Sequence, residues 1–214
     1  MKHLILIRHG EAEHLLEGLV GGWTDTKLTE IGKQQAKCTG ERLSQLIKDT
    51  PFNFYTSDLS RAKETAEYIG DILGKKPVVV SELRELNNGM AANLSKEEAK
   101  KIKNPITDPI LDWVPYPEAE SWNMMQKRLS EFLDKIKNDR NDLTILVSHG
   151  NSIISLIHSW LGFSTDMFNI SFDIQPCSIT HLRTNHWNEK TISRLNDISH
   201  LENNGIYKVD AYFT

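Results

Sequence analysis

Leu4-Ile5-Leu6-Ile7-Arg8-His9-Gly10 decides the fold of this chain. Four consecutive apolar residues mark a strand covered on both faces, because a half-exposed strand alternates apolar with polar positions. The run stops abruptly at Arg8-His9-Gly10. Leu143-Thr144-Ile145-Leu146-Val147 repeats the pattern and stops at Ser148-His149-Gly150. Two buried strands thus each deliver a histidine, followed by a glycine, to their carboxyl ends. That edge is where ligands bind in open α/β sheets.

Between these strands the chain alternates. Thr29 caps a helix over Glu30–Ile47, with Ile31, Cys38, Leu43, Leu46 and Ile47 as its apolar stripe and Gly32 and Gly40 as weak points. Phe52–Thr56 reads as a strand, Ser57 or Ser60 caps a helix to Leu73 that Gly74 stops, and Val78–Val80 reads as another buried strand. A helix from about Ser121 to Lys137 places Trp122, Met125, Leu129, Phe132 and Ile136 on one face, and Asn151 or Ser152 caps an apolar helix ending at Leu161-Gly162. This order predicts an α/β fold, a three-layer α/β/α sandwich around a mostly parallel sheet. Ser178–Arg183 and Thr191–Leu195 add an antiparallel edge. A single domain over residues 1–214 is expected, with Lys96–Lys103 a solvated helix face and the irregular segment about 90–120, rich in proline from Pro105 to Pro117, lying over the crevice as a lid.

The bulk numbers exclude several classes. A hydrophobic share of 39% with 25% charged residues is globular composition, and a net charge of −4 argues against a nucleic-acid binder, which needs a spread basic surface. No stretch approaches the roughly eighteen apolar residues of a membrane span, and the N-terminus lacks a signal-peptide core. Two cysteines, Cys38 and Cys177, are too few and too far apart for a disulfide framework. These features predict a cytoplasmic protein with neither membrane nor nucleic-acid partner; they do not fix its oligomeric state, and a homodimer is compatible with them.

Leu6-Ile7-Arg8-His9-Gly10-Glu11, followed by Gly21-Gly22-Trp23-Thr24-Asp25 and Leu28-Thr29-Glu30-Ile31-Gly32, resembles the opening of the histidine phosphatase superfamily, the phosphoglycerate mutase-like family. Ser57-Asp58-Leu59-Ser60-Arg61-Ala62 with Thr65-Ala66 is similar to its second motif, Leu83-Arg84-Glu85 with Gly89 to its third, and Ser148-His149-Gly150-Asn151-Ser152 to its fourth. Glu120-Ser121-Trp122 and the closing Leu195-Asn196-Asp197 with His200-Leu201 have counterparts there as well. The resemblance implies a phosphohydrolase acting on a small phosphorylated metabolite through a phosphohistidine on His9, releasing inorganic phosphate, with no metal and no cofactor.

The chemistry of phosphate esters asks for the same residue types. A phosphate dianion needs its oxygens neutralised by directed, charge-assisted bonds, for which Arg8 and Arg61 are the candidates. Those cations also hold the His9 imidazole neutral, as a nucleophile must be. His149 is the second histidine, donating to the transferring oxygens, and Glu85 is the acid that protonates the leaving alkoxide and later activates water. Gly10 and Gly150 let the backbone approach the phosphoryl group, Asn151 opens a helix whose N-terminus faces it, and Gly21 and Gly22 complete the phosphate-binding set. His3, His14, His158, His181, His186 and His200 are read as surface or packing residues. A metal site on His9, His149 and Glu85 is disfavoured, because no closely spaced ligand pair exists and neighbouring arginines repel a cation.

The chain departs from the family where many relatives carry a phosphate-holding asparagine; here that position is Leu15, with Asn151 or a backbone amide as its substitute. Ala91-Ala92-Asn93 also replaces a frequent Trp-Glu-Gly. A bisphosphoglycerate-dependent mutase is the alternative activity, supported by Gly21-Gly22-Trp23 and Lys96. No arginine occurs between Arg84 and Arg128, where mutases grip a substrate carboxylate, and this favours the phosphatase. A catalytically silent binding protein on the same fold is the third reading.

Overall fold

In the computed structural model, which describes residues 1–164 and 167–207, the opening apolar run is strand β1 (His3–Arg8). Leu4 and Leu6 join one buried cluster and Ile5 and Ile7 another, so both faces of the strand are covered. Each such side chain removed from water contributes about 2 kcal/mol, which makes a continuous apolar run stable only in a central strand.

The described strands that follow are β2 (Phe52–Ser57), β3 (Val78–Val80), β4 (Leu143–Ser148), β5 (Ile179–Thr184) and β6 (Lys190–Asp197), in sheet order β3-β2-β4-β1-β5-β6. Strands β1 to β4 are mutually parallel, β5 runs antiparallel to β1, and β6 antiparallel to β5. The helices are α1 (Glu13–Glu17), α2 (Glu30–Ile47), α3 (Ser60–Leu73), α4 (Lys96–Lys101), α5 (Trp122–Ile136), α6 (Gly150–Leu161) and α7 (Ser199–Glu202). On one face α5 and α6 bring Met125, Leu129, Phe132, Ile153 and Leu156 against Leu4, Leu6 and Leu146. On the other, α2 and α3 bring Leu43, Ile47, Ala62, Ala66 and Ile69 against Ile5, Ile7 and Val147. The expected three layers around a mostly parallel sheet are present. Among the described residues no helix is long and apolar enough to cross a membrane.

Three local expectations are corrected. Val78 and Val79 are 55% and 45% exposed, because β3 is the sheet's outermost strand and pairs only with β2. Ile31 is exposed, and the buried face of α2 is instead Gly32, Ala36, Thr39, Gly40, Leu43 and Ile47. A Cβ on Gly40 would come within 2.7 Å of Ile72 and 3.2 Å of the Ile69 Cα, so this glycine is what lets α2 and α3 approach. Helix α6 begins at Gly150 with His149 as its N-cap residue, two positions before Asn151, the nearer of the two expected caps. The Lys96–Lys101 helix is solvated as expected, with Ala99 its buried residue.

Segment 90–120 lies back against the body of the chain. Backbone bonds join Met90 to Pro117, Asn104 to Pro115 and Glu120 to Asn87, while Val20 donates to Leu94.

Candidate active site

Parallel pairing places the two histidines side by side. Arg8 pairs with Ser148 in the β1–β4 register, so His9 and His149 leave adjacent strands at the same level. The His9 N–H donates to the Ser148 carbonyl at 2.9 Å, and the two imidazole centroids are 5.1 Å apart. The other two parallel strands end at the same edge: β2 runs into Arg61 at the start of α3, and β3 into a short 3₁₀ turn, Ser81–Leu83, followed by Arg84 and Glu85. Arg8 therefore closes a parallel strand and the other four expected catalytic residues follow the carboxyl end of one, drawn from four separate stretches of sequence.

The tautomer of His9 follows from its partners. Nδ1 lies 2.7 Å from the Gly10 carbonyl oxygen, which only accepts, so Nδ1 carries the proton. Nε2 receives a 3.1 Å hydrogen bond from Arg61 Nε, so it presents a lone pair. His9 is 3% exposed, and its pKa lies well below the ordinary histidine value, through burial first and then the charges of Arg61 and Arg8. Burial thus outweighs the arginines that sequence reasoning held responsible.

Arg61 is itself 1% exposed and its two terminal nitrogens are engaged, Nη1 with the Thr24 carbonyl at 2.5 Å and Nη2 with the Gly22 carbonyl at 2.7 Å. Its guanidinium pKa falls to about 10 through burial, offset by Glu85 and Asp25. The expected picture of two forks gripping phosphate needs revision here: the fork of Arg61 holds the 22–24 loop, and its Nε edge meets His9. Gly22 has φ +86°, and a Cβ there would sit 2.8 Å from the Leu86 carbonyl oxygen, so its role is to bring this loop onto the Glu85 segment. The N-terminus of α3 has no cap of its own; Asp25 accepts from the Ser60 backbone and hydroxyl, tying the same loop to the helix that carries Arg61.

Arg8 donates from Nη1 to the Ile174 carbonyl at 2.5 Å, while its buried Nε has no partner among the described residues. His149 Nε2 lies 2.9 Å from Ser57 Oγ, and its buried Nδ1 is likewise without a partner among them. The His149 pKa lies well below the ordinary value, from burial first and Arg61 second. Glu85 Oε1 accepts from the Leu86 N–H at 2.8 Å, and Oε2 from the Asn151 N–H at 3.3 Å. A point one methyl length from the Gly150 Cα is 3.8 Å from Glu85 Oε2 and 3.9 Å from Arg8 Nε, so carboxylate and cation flank one small space beside the start of α6.

Two expectations about the backbone change. Gly10 serves packing: a Cβ there would lie 2.5 Å from the Gly32 carbonyl oxygen of α2. Asn151 is exposed, and its N–H at the start of α6 is aimed at Glu85. Leu15 is 43% exposed on α1 and supplies no donor.

Sequence reasoning also missed supporting residues. His14, read as packing, is 6% exposed with its ring 6.2 Å from that of His9, and Gly21 abuts it, a Cβ there reaching to 3.2 Å. Its pKa falls to about 4, from burial and then Arg61 and Arg8. Trp23 Nε1 and Arg128 Nη2 both donate to the Glu85 carbonyl, at 2.7 and 3.4 Å. Arg128 also reaches the Glu82 and Arg84 carbonyls and pairs with Glu120, so it clamps the whole 82–85 turn. The tryptophan and the glutamate were visible within motifs, but a helical arginine 43 residues from Glu85 carries no local signal. No group of three or more metal-ligating side chains occurs among the described residues.

A strand-edge site with paired buried histidines, a buried and a half-buried arginine and a carboxylate is the construction of a phosphoryl-transfer protein. The family model of the histidine phosphatase superfamily, branch 1, matches residues 4–198, and the chain belongs to that superfamily. Among curated relatives, the 2,3-bisphosphoglycerate-dependent phosphoglycerate mutase of Nitrobacter hamburgensis is 34% identical over 168 residues, covering 72% of this chain and 78% of the relative. Among solved structures, a mutant phosphoserine phosphatase from Entamoeba histolytica in complex with phosphoserine superposes with a TM-score of 0.75 at 26% identity, covering 94% of this chain and 100% of the other. A mycobacterial glucosyl-3-phosphoglycerate phosphatase in complex with VO3 superposes at 0.78 with 22% identity, covering 92% and 99%, a likeness of fold.

Proposed function

We propose that the protein is a phosphomonoesterase that hydrolyses a small phosphorylated metabolite by way of a phosphohistidine on His9. The observation that carries this reading is the unprotonated Nε2 of a buried, neutral His9, fixed by the Nδ1–H bond to Gly10 and by the hydrogen bond its lone pair accepts from Arg61 Nε until phosphorus displaces it. Such a lone pair is the nucleophile that phosphoryl transfer to imidazole requires.

In the first half-reaction Nε2 bonds to phosphorus as the phosphorus–oxygen bond to the alcohol breaks, and the leaving oxygen takes a proton from Glu85. The buried Nε–H of Arg8 and the Nδ1–H of His149 donate to the equatorial oxygens, where charge accumulates in a loose transition state. In the second, Glu85 takes a proton from water as that water attacks phosphorus, releasing phosphate and restoring His9. One domain spanning the chain carries both steps, with segment 90–120 as the cover over the alcohol side of the crevice.

Hydrolysis is favoured over a mutase by where the nearest free cations are not. Arg84 is paired with Asp58 at 2.6 Å and stacks 4.6 Å from Trp23, and Arg128 is spent on Glu120 and three carbonyls. Neither is left to hold a phosphoglycerate carboxylate through a transfer cycle. The test is a rapid-quench labelling experiment with a ³²P-phosphomonoester. Wild type should form an acid-labile, base-stable phosphoenzyme and release phosphate, and His9→Ala should form none. Labelling that survives in His9→Ala refutes the assignment. Fast interconversion of phosphoglycerate isomers with a bisphosphoglycerate primer and little free phosphate would establish the mutase instead.

A further inference from the structure

A second cavity lies beside this site, of about 370 Å3, between α6 and the two segments that cross over it. Leu86, the residue after Glu85, forms its near wall, and Ile154 and His158 of α6 form its floor. Ile154 is four residues from Gly150, about 6 Å of helical rise, so the cavity begins one turn from the space flanked by Arg8 and Glu85. Trp113 and Ile110 line it from segment 90–120, and Phe168 and Ile170 from the connection after α6.

The chemistry of the lining is one-sided. Among the described residues it contains no lysine and no arginine, and its one carboxylate, Glu120, is held at 2.9 and 2.8 Å by Arg128. His158 is enclosed by aromatic rings, with Phe168, Phe163 and Phe172 at centroid distances of 4.7, 5.1 and 5.8 Å. Its Nε2–H donates to the Ile170 carbonyl at 2.9 Å, which fastens one wall to the floor. Ile110 and Ile170 leave 61% and 41% of their surface to solvent on separate segments around the same cavity. A carboxylate entering here would lose water to walls that carry no cation, Arg128 being paired with Glu120 and Lys103 lying over the Trp113 ring, whereas an apolar, flat group would be desolvated favourably against rings.

We propose that this cavity takes the alcohol portion of the substrate, and that the preferred substrates are phosphomonoesters whose alcohol carries an uncharged, flat apolar group. The inference rests on the phosphomonoesterase reading above and adds the class of ester that the site selects.

The experiment compares kcat/KM of the full-length protein for 2-naphthylethyl phosphate, ethyl phosphate and 3-phosphoglycerate; the first two share an alkyl leaving group and differ in the ring. The naphthyl ester should exceed each of the others by tenfold or more. Ile170→Lys, an exposed rim substitution, should cut the naphthyl-to-ethyl ratio at least fivefold, mainly through KM; Ile110→Lys on another wall serves if the first variant does not fold. A preference for 3-phosphoglycerate, or a ratio untouched by both lysine variants, overturns the proposal while leaving the phosphatase reading intact. Should none of the three esters be hydrolysed, the phosphatase reading falls. The cavity is then read by binding of 2-naphthylethanol to wild type, followed by tryptophan fluorescence: saturable binding weakened fivefold by Ile170→Lys supports it, and no binding overturns it.

Discussion

Arg61 Nε donates a 3.1 Å hydrogen bond to His9 Nε2 while the same guanidinium binds the Thr24 and Gly22 carbonyls. A guanidinium has donors only, so this bond exists only while the imidazole nitrogen is unprotonated. One buried cation therefore selects the reactive form of the nucleophile and anchors the loop beneath it.

Removing that cation should cost activity and stability together. Arg61→Ala is expected to lower kcat/KM by about 10³-fold or more, the scale of losing an arginine from a phosphoryl-transfer site. It should also destabilise by about 2–4 kcal/mol, because two buried carbonyls lose their donor. Arg61→Lys keeps the charge without the fork and should recover little of either. Urea unfolding and steady-state kinetics on the two variants check this; a lysine variant close to wild type in both measures would contradict it.

Gly10 and Gly150 follow equivalent histidines and should respond oppositely to alanine. At Gly10 the new methyl would meet the Gly32 carbonyl oxygen at 2.5 Å, backbone against backbone, so Gly10→Ala should lose about 3 kcal/mol or more. At Gly150 the nearest atoms are Glu85 Oε2 at 3.8 Å and Arg8 Nε at 3.9 Å, ordinary contact distances. Gly150→Ala should keep its melting temperature to within a few degrees and raise KM, since the methyl occupies space between the carboxylate and the cation. Equal stability losses in the two variants would show that their environments are alike after all.

Much of this was legible in the amino-acid sequence because it depends on local pattern. Apolar runs ending at His9 and His149 locate the sheet's carboxyl edge, and Thr29 caps α2 where expected, its side chain accepting from the Gly32 N–H. What was not legible depends on three-dimensional neighbours. Val78–Val80 has the composition of a buried strand, yet an edge position exposes it. His14 looks like any helical histidine until the 21–24 loop folds over it, and Arg128 gains its role from carbonyls far away in the chain. Gly32 and Gly40 count against a helix by propensity, yet a Cβ on Gly32 would lie 2.1 Å from the Glu11 carbonyl oxygen and one on Gly40 would collide with α3, so tertiary contact requires both.

The buried histidines predict acid lability. His14, His181 and His200 have pKa values near 4, burial being the largest cause in each, and His9 and His149 lie well below the ordinary value. In the unfolded chain they take up protons at about pH 6.5, so between there and about 4 the unfolded state binds more protons. Stability is then fully present above that upper value and falls as pH drops, by up to about 1.4 kcal/mol per pH unit for each fully buried histidine. Urea midpoints measured from pH 7.5 to 4.5 should decrease steadily below about 6.5, and His200→Gln should flatten the slope. A midpoint constant down to pH 5 would count against neutral burial of these rings.

Ser57 should govern how well His149 serves the transferring oxygens. Its Oγ lies 2.9 Å from His149 Nε2 and accepts from the Leu59 N–H at 3.3 Å. The hydroxyl has one proton, and His149 Nε2 is its one acceptor among the described residues; with the proton directed there, Nε2 is the acceptor and the proton of the neutral ring sits on Nδ1, the buried nitrogen without a partner among those residues. In Ser57→Ala the ring is free to place its proton on Nε2, and a bare Nδ1 lone pair would face incoming oxygens and repel them. The expected result is a fall in kcat of about 10²-fold, the scale of one lost transition-state donor, with a smaller change in KM. Imidazole ¹⁵N shifts supply the readout that simple loss of packing would not move: wild type should show a protonated Nδ1 on His149, and the variant a mixture of the two tautomers. A wild-type spectrum with the proton on Nε2 would reverse the direction of the Ser57 bond and remove His149 Nδ1 as a donor.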